Sequence, residues 1–168
     1  CIWVAGGMAG PVSSTRNQAI INRGPLKIWS STVEARGYGV MNKDTILTAF
    51  ISEIRETFPE VAERIDRRLS ALDPDPEPIS YTEVFECFSQ ATTDAIKGKD
   101  AETASRHLNY MAHKLKAACA VEREYIDVYY TEPLMWDISD RAVRSWGWDL
   151  FPAPLKRLYE KMWGKQKF

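Results

Sequence analysis

Two histidines, three cysteines and a string of carboxylates are the side chains of this 168-residue chain best suited to acid–base, nucleophilic or metal chemistry. His107 and His113 lie six residues apart in one helical pattern. At about 100° per residue they are turned roughly 240° from each other, so they share a metal only with help from a further element. Glu122, Glu124, Asp127 and Glu132 run closely enough to suggest a carboxylate cluster, and the i, i+3 pair Glu124 and Asp127 does share a face. A di-iron bundle, however, needs Glu-x-x-His on two helices and a glutamate on each of two others. Glu-x-x-His occurs nowhere in the chain. The expectation is a solvated acidic face, packing or surface histidines, and neither a metal nor another cofactor.

Nucleophilic and phosphate chemistry have as little to work with. Cys1, Cys87 and Cys119 are odd in number and form no Cys-x-x-Cys pair, so neither a disulfide framework nor a zinc site is suggested. Cys87 and Cys119 fall on apolar helical faces, where a thiol acts as a small hydrophobe, and free thiols point to a reducing cytoplasm. There is no Gly-x-Ser-x-Gly elbow and no glycine-rich phosphate loop. The formal net charge of -1 offers no field for a phosphate backbone or an anionic membrane. Arg64, Arg67 and Arg68 alternate with acids, as on a salt-bridged solvent face. Apolar runs fall far short of the roughly 20 residues that span a bilayer. Neither nucleic acid nor membrane is expected as a partner.

What stands out is aromatic and acidic content near the C-terminus. Trp136, Trp146, Trp148, Phe151 and Trp163 are joined there by Asp137, Asp140 and Asp149. Tryptophan is enriched in binding hot spots because it combines a large area with a polar handle. Gly147, between Trp146 and Trp148, argues against burying both rings in one regular element. Asp137, Asp140, Trp146, Trp148 and Asp149 are therefore the candidate partner-binding residues. Asp73, Asp75 and Glu77 form a second-choice surface.

The elements that must position these residues are helical. Ile46, Leu47, Phe50, Ile51, Ile54 and Phe58 make one amphipathic face, Asn42 or Asp44 can cap it, and Pro59 suits the first turn of the next helix. Val61, Ile65, Leu69 and Leu72 form the apolar side of that second helix. The run Asp73-Pro74-Asp75-Pro76-Glu77-Pro78 excludes helix, since each proline biases its predecessor to extended backbone. Ser80 and Glu83 have the spacing of a capping box. Val84, Phe85, Phe88, Ala91, Ala95 and Ile96 follow as a stripe that Gly98 is placed to end. Asp100 can cap a fourth helix with Ala104, Leu108, Met111, Leu115 and Ala118 inside, which places Phe88 and Leu108 on facing helices. Tyr125, Ile126, Tyr129 and Tyr130 predict a fifth helix stopping before Pro133. A short helix is expected over Ser139 to Trp146, and Pro154 is expected to open the last one. No segment alternates like a strand. The fold class is all-α, either a multi-helix bundle or a short HEAT-like array of antiparallel helix pairs.

Residues 1–40 read differently. They hold six of the nine glycines and one acid against four bases, and no period persists across residues 5–25. Residues 41–168 carry 18 bases and 22 acids, a net of -4. Residues 1–40 are read as an irregular N-terminal arm, as an in-frame extension ahead of a true start at Met41, or as the mature end of a lipoprotein beginning at Cys1. Residues 41–168 are the helical domain. A chain starting at Met41 is accordingly expected to melt at the same temperature as the full chain. A drop of several degrees would show that the arm packs on the domain, because about 1 kcal/mol moves the midpoint of a domain this size by some 2–4 °C.

The order of features has a counterpart. Phe58-Pro59-Glu60-Val61, the turn into helix Ile79-Ser80-Tyr81-Thr82-Glu83-Val84-Phe85, the helix from Leu108 to Ala118, and Leu155-Lys156-Arg157-Leu158-Tyr159-Glu160-Lys161-Met162-Trp163-Gly164 resemble a bacterial family of small helical domains of unknown function. Its members look like successive helix pairs in the manner of HEAT repeats, and some are similar to immunity proteins that neutralise a toxin by binding it. The resemblance covers about residues 43–165, and the aromatic stretch 136–151 departs from it. It implies no catalytic residues. The function expected is that of a non-enzymatic protein-binding module, an immunity-like inhibitor whose net -4 would suit a basic toxin or nuclease. The alternatives are an enzyme that pairs His107 or His113 with Glu122 or Glu124, and a structural subunit that oligomerises through its aromatics.

Overall fold

In the computed structural model, residues 42–72 and 80–167 are described. They form α1 (Lys43–Thr57), α2 (Pro59–Leu72), α3 (Tyr81–Lys97), α4 (Ala101–Ala117), α5 (Ala120–Glu124), a π-helical segment (Tyr125–Thr131), α6 (Arg141–Leu150) and α7 (Ala153–Trp163), with no strand among them. The expectations for residues 1–40 and for Asp73, Asp75 and Glu77 lie outside the described residues.

Local chemistry sets most helix ends. The Asn42 side chain accepts from the Asp44 amide at 3.2 Å, and Asp100 accepts from the Thr103 amide at 3.0 Å. Both satisfy amides that the first helical turn leaves free. Pro59 opens α2 directly after Phe58, whose own amide closes α1 on the Ile54 carbonyl at 2.9 Å. At Ser80 only half of the predicted capping box forms. The Glu83 amide reaches Ser80 Oγ at 3.5 Å, but the Glu83 carboxylate turns to Arg68 at 2.9 Å, drawn by the stronger charge-assisted bond. Gly98 ends α3 with ordinary right-handed torsions, and the left-handed residue is Lys99, at φ 56°.

The core is one cluster, and α3 runs through it. This helix packs against α1, α2, α4, α6 and the π segment. Phe88 on α3 and Leu108 on α4 are both fully buried, as their phase predicts. Helix α1 also packs against α5, more than sixty residues along the chain. In a solenoid each unit touches only its neighbours in sequence. A central helix wrapped by early and late elements is a bundle, and the array alternative gives way to it.

Two later elements differ from expectation. The fifth helix is π-wound: the Glu132 amide bonds the Asp127 carbonyl and Thr131 Oγ1 bonds the Ile126 carbonyl, both five residues back. Helix α6 spans Arg141–Leu150 rather than 139–146, because Asp140 caps its start and Gly147 does not break it. Gly147 is instead a point of close approach. A Cβ there would lie 2.5 Å from Ile96 Cγ2 and 3.2 Å from Met135 Sδ, so only glycine lets α6 settle onto α3.

Candidate functional site

The predicted contact residues divide into three groups. Asp137 and Asp140 line one shallow groove with Lys97, Ile138, Ser139 and Val143, of about 220 Å³. Both carboxylates have work within the fold. Asp137 forms an ion pair with Lys97 and accepts from Gln90 Nε2 at 3.4 Å. The Lys97 bond holds its carboxyl below the usual aspartate range. Asp140 accepts from the amides of Ala142 at 2.8 Å and Val143 at 3.2 Å, so it is the cap of α6.

Trp146 and Trp148 are each half-buried. They flank the buried Gly147, and residues about 100° to either side of a buried line are half covered by what packs on it. Trp148 lies against Phe151 and Tyr159, with ring centroids at 5.2 and 5.5 Å, and Lys156 Nζ sits 5.2 Å from its ring centroid. It knits α6 to α7 and shows only part of its surface. Asp149 is exposed.

The tryptophans that do stand out in solvent are Trp136, 75% exposed, and Trp163, 45% exposed. Their rings are 6.3 Å apart, and Trp163 Nε1 donates to the Glu132 carbonyl at 3.1 Å, tying the end of α7 to the end of the π segment. Met162 beside Trp163 is 48% exposed, and Val128 on the π segment is exposed too. The turn that presents Trp136 is under tension. Met135 is buried with φ at 60°, a region costly for a residue with a side chain, and its amide is held by the buried Thr93 hydroxyl at 3.1 Å. Sequence reasoning noted Trp136 and Trp163 as aromatics but did not single them out. No local signal separates a tryptophan in a tight turn from one in a helix interface.

The histidines lie as their spacing requires, on different faces. His113 is exposed, while His107 is 1% exposed and sits among aromatic rings. Phe58 and Phe88 both meet its ring near edge-on, with centroids at 4.9 Å. Its Nδ1 is 3.2 Å from Thr92 Oγ1, which also lies 3.1 Å from Tyr130 Oη, and its Nε2 is 3.5 Å from Glu60 Oε1. The carboxylate facing His107 is thus Glu60 of α2. Burial lowers the His107 pKa, against an opposing pull from Glu60, and burial raises that of Tyr130. A ring so enclosed has no room for a substrate. Glu122 accepts from the Cys119 amide at 2.8 Å at the start of α5. Burial also raises the Cys87 thiol, opposite to what a nucleophile needs.

Among the described residues, no three His, Cys, Asp or Glu side chains gather as a metal site. No described helix is long and apolar enough to cross a membrane. No curated protein and no solved structure matches the chain. A family model does match, over residues 51–164, from the second half of α1 to the end of α7: the chain belongs to a family defined by a domain of unknown function, DUF7674.

Proposed function

We propose that this domain works by binding a protein partner, with the Trp136–Trp163 face as its anchor. The observation that carries this reading is a tryptophan 75% exposed on a turn whose preceding residue, Met135, has φ at 60°. A fold gains nothing from leaving a large aromatic in water, and strained or π-wound backbone persists where some use offsets its cost. Here three such features coincide within residues 125–136: the π segment, the left-handed Met135 and the outward Trp136. Met162 and Val128 add apolar area, and Asp127, Glu132, Asp137 and Lys161 supply charged neighbours in sequence for a polar rim. The finer reading, an immunity-like inhibitor of a basic toxin or nuclease, is supported only by the net -4 of residues 41–168 and by the exposed Asp149. Asp137 and Asp140 contribute less to it, being engaged by Lys97 and by the α6 cap.

The test starts with a partner recovered by cross-linking and confirmed by direct binding to the purified chain. Trp136→Ala should then weaken binding by about 2 kcal/mol or more, as hot-spot tryptophans do, and leave the melting temperature within a degree or two. Trp163→Ala should weaken binding similarly, with a small loss of stability from its bond to Glu132. Binding that survives Trp136→Ala while Trp148→Ala abolishes it without unfolding would move the anchor to α6 and sink this assignment.

A further inference from the structure

A second face, built from other elements, has chemistry of its own. Lys116 at the end of α4, Arg123 on α5 and Arg157 on α7 line a half-open groove of about 310 Å³, and Leu115, Pro154 and Leu158 complete its lining. Three cations thus meet in a domain whose acids outnumber its bases, and no carboxylate among the described residues lines the groove. Elsewhere several basic side chains are matched. Arg55 pairs with Asp66, Arg64 with Asp94, Arg68 with Glu83, Arg106 with Glu60 and Lys114 with Glu53. Lys116 and Arg157 have no such partner among the described residues, and both are exposed. Arg123 is steered toward the end of α4, where its Nη2 donates to the Leu115 carbonyl at 3.4 Å. The C-terminal end of a helix attracts cations through its dipole, and both Lys116, in the last turn of α4, and Arg123 answer that end. Arg157, on α7, has no such role.

We infer that this groove binds a small organic anion, a carboxylate or phosphate head carried on a short apolar body. The head answers Lys116 and Arg157, whose like charges are exposed and meet no carboxylate among the described residues. The body answers Leu115, Pro154 and Leu158. The volume lies at the lower end of small-molecule sites, too little for a macromolecular segment to be enclosed. The planar guanidinium of arginine pairs bidentately with either head.

An NMR titration of the full chain tests this with four probes: hexanoate, phenyl phosphate, inorganic phosphate and benzyl alcohol. Hexanoate or phenyl phosphate should shift the amides of Lys116, Arg123, Arg157 and Leu158 saturably. Which of the two binds more tightly identifies the head. Inorganic phosphate should bind more weakly at the same place, and benzyl alcohol should not reach half-saturation. The double variant Lys116→Gln/Arg157→Gln should weaken binding by about tenfold with no change in melting temperature, since both side chains are exposed and neither pairs with a carboxylate among the described residues. The inference fails if neither organic anion binds, if inorganic phosphate binds as well as both, if the shifts fall elsewhere, or if the double variant binds unchanged. None of these results bears on the Trp136–Trp163 face, which shares no residue with the groove.

Discussion

Phe58→Ala is expected to lower the unfolding free energy by about 3–5 kcal/mol, the usual cost of deleting a buried phenyl ring. Phe58 stands at the junction of α1 and α2 and is fully buried. Its ring meets Phe88, His107 and Tyr110 at centroid distances of 4.9–5.0 Å, and the Arg106 guanidinium lies 5.3 Å from its centroid. Helices α3 and α4 both lose their ring contact with the α1–α2 junction when it goes. The same deletion leaves space against His107, which gives the prediction a second readout. Burial holds the folded His107 pKa below its unfolded value of about 6.5. Below that pH the unfolded chain binds a proton that the folded chain refuses, so His107 costs no stability above about pH 6.5. Stability then falls with pH until the folded imidazole itself titrates. Water beside the ring would raise the folded pKa and make that loss smaller. Urea titrations across pH 5–8, with the His107 shift followed by NMR, measure both effects. A cost under about 1 kcal/mol, or an unmoved His107, would show that Phe58 does not seal this part of the core.

Thr92→Val should cost about 2–5 kcal/mol although the two side chains have nearly the same shape. The Thr92 hydroxyl donates to the Phe88 carbonyl at 3.0 Å and lies within bonding distance of His107 Nδ1 and Tyr130 Oη. All of these are buried. One hydroxyl serves three neighbours, giving its hydrogen to one acceptor and accepting at its oxygen. If the hydrogen stays on the Phe88 carbonyl, Tyr130 and the His107 Nδ1–H both donate to the hydroxyl, and a bare Nε2 faces Glu60. If it turns to Nδ1, the imidazole proton moves to Nε2 and points at the Glu60 carboxylate, which is the better electrostatic arrangement. Either way valine strands the phenol and one imidazole nitrogen, at about 1–3 kcal/mol each. Thr92→Ser keeps the hydroxyl and should cost only about 1 kcal/mol for the missing methyl. Tyr130→Phe should be less harmful in the valine background than alone, since the stranded phenol is gone. A valine variant as stable as the serine variant would mean that the polar trio contributes nothing.

The physical basis of these two sites was only half legible beforehand. Phe58 and Phe88 announce themselves by period, because a 3.6-residue rhythm of apolar side chains is a property of the helix that bears them. Thr92 and Tyr130 do not. A threonine on a helix reads as ordinary, and only the arrival of a tyrosine 38 residues later and a histidine 15 residues later makes it a hub. His107 was readable as a packing histidine, but Glu60 as its neighbour was not. Likewise Asp140 was readable as a candidate contact residue, but its second role as the cap of α6 was not, because the start of that helix was placed at Ser139.

The linear sequence alone determined that the domain is all-α, that Pro59 and Asp100 begin helices, and which stripes turn inward. Each of these rests on interactions within one turn or on a periodic face, so a short window contains the cause. Tertiary structure alone decided that the helices close around α3 rather than stack in pairs, and that Gly147 is a seat for Ile96 rather than a helix breaker. It also decided that Trp136 and Trp163 face solvent while Trp146 and Trp148 are half covered. Exposure is set by what another element lays over a side chain, and here that element lies tens of residues away: Ile96 and Met135 against Gly147, Thr93 against Met135, Glu132 against Trp163.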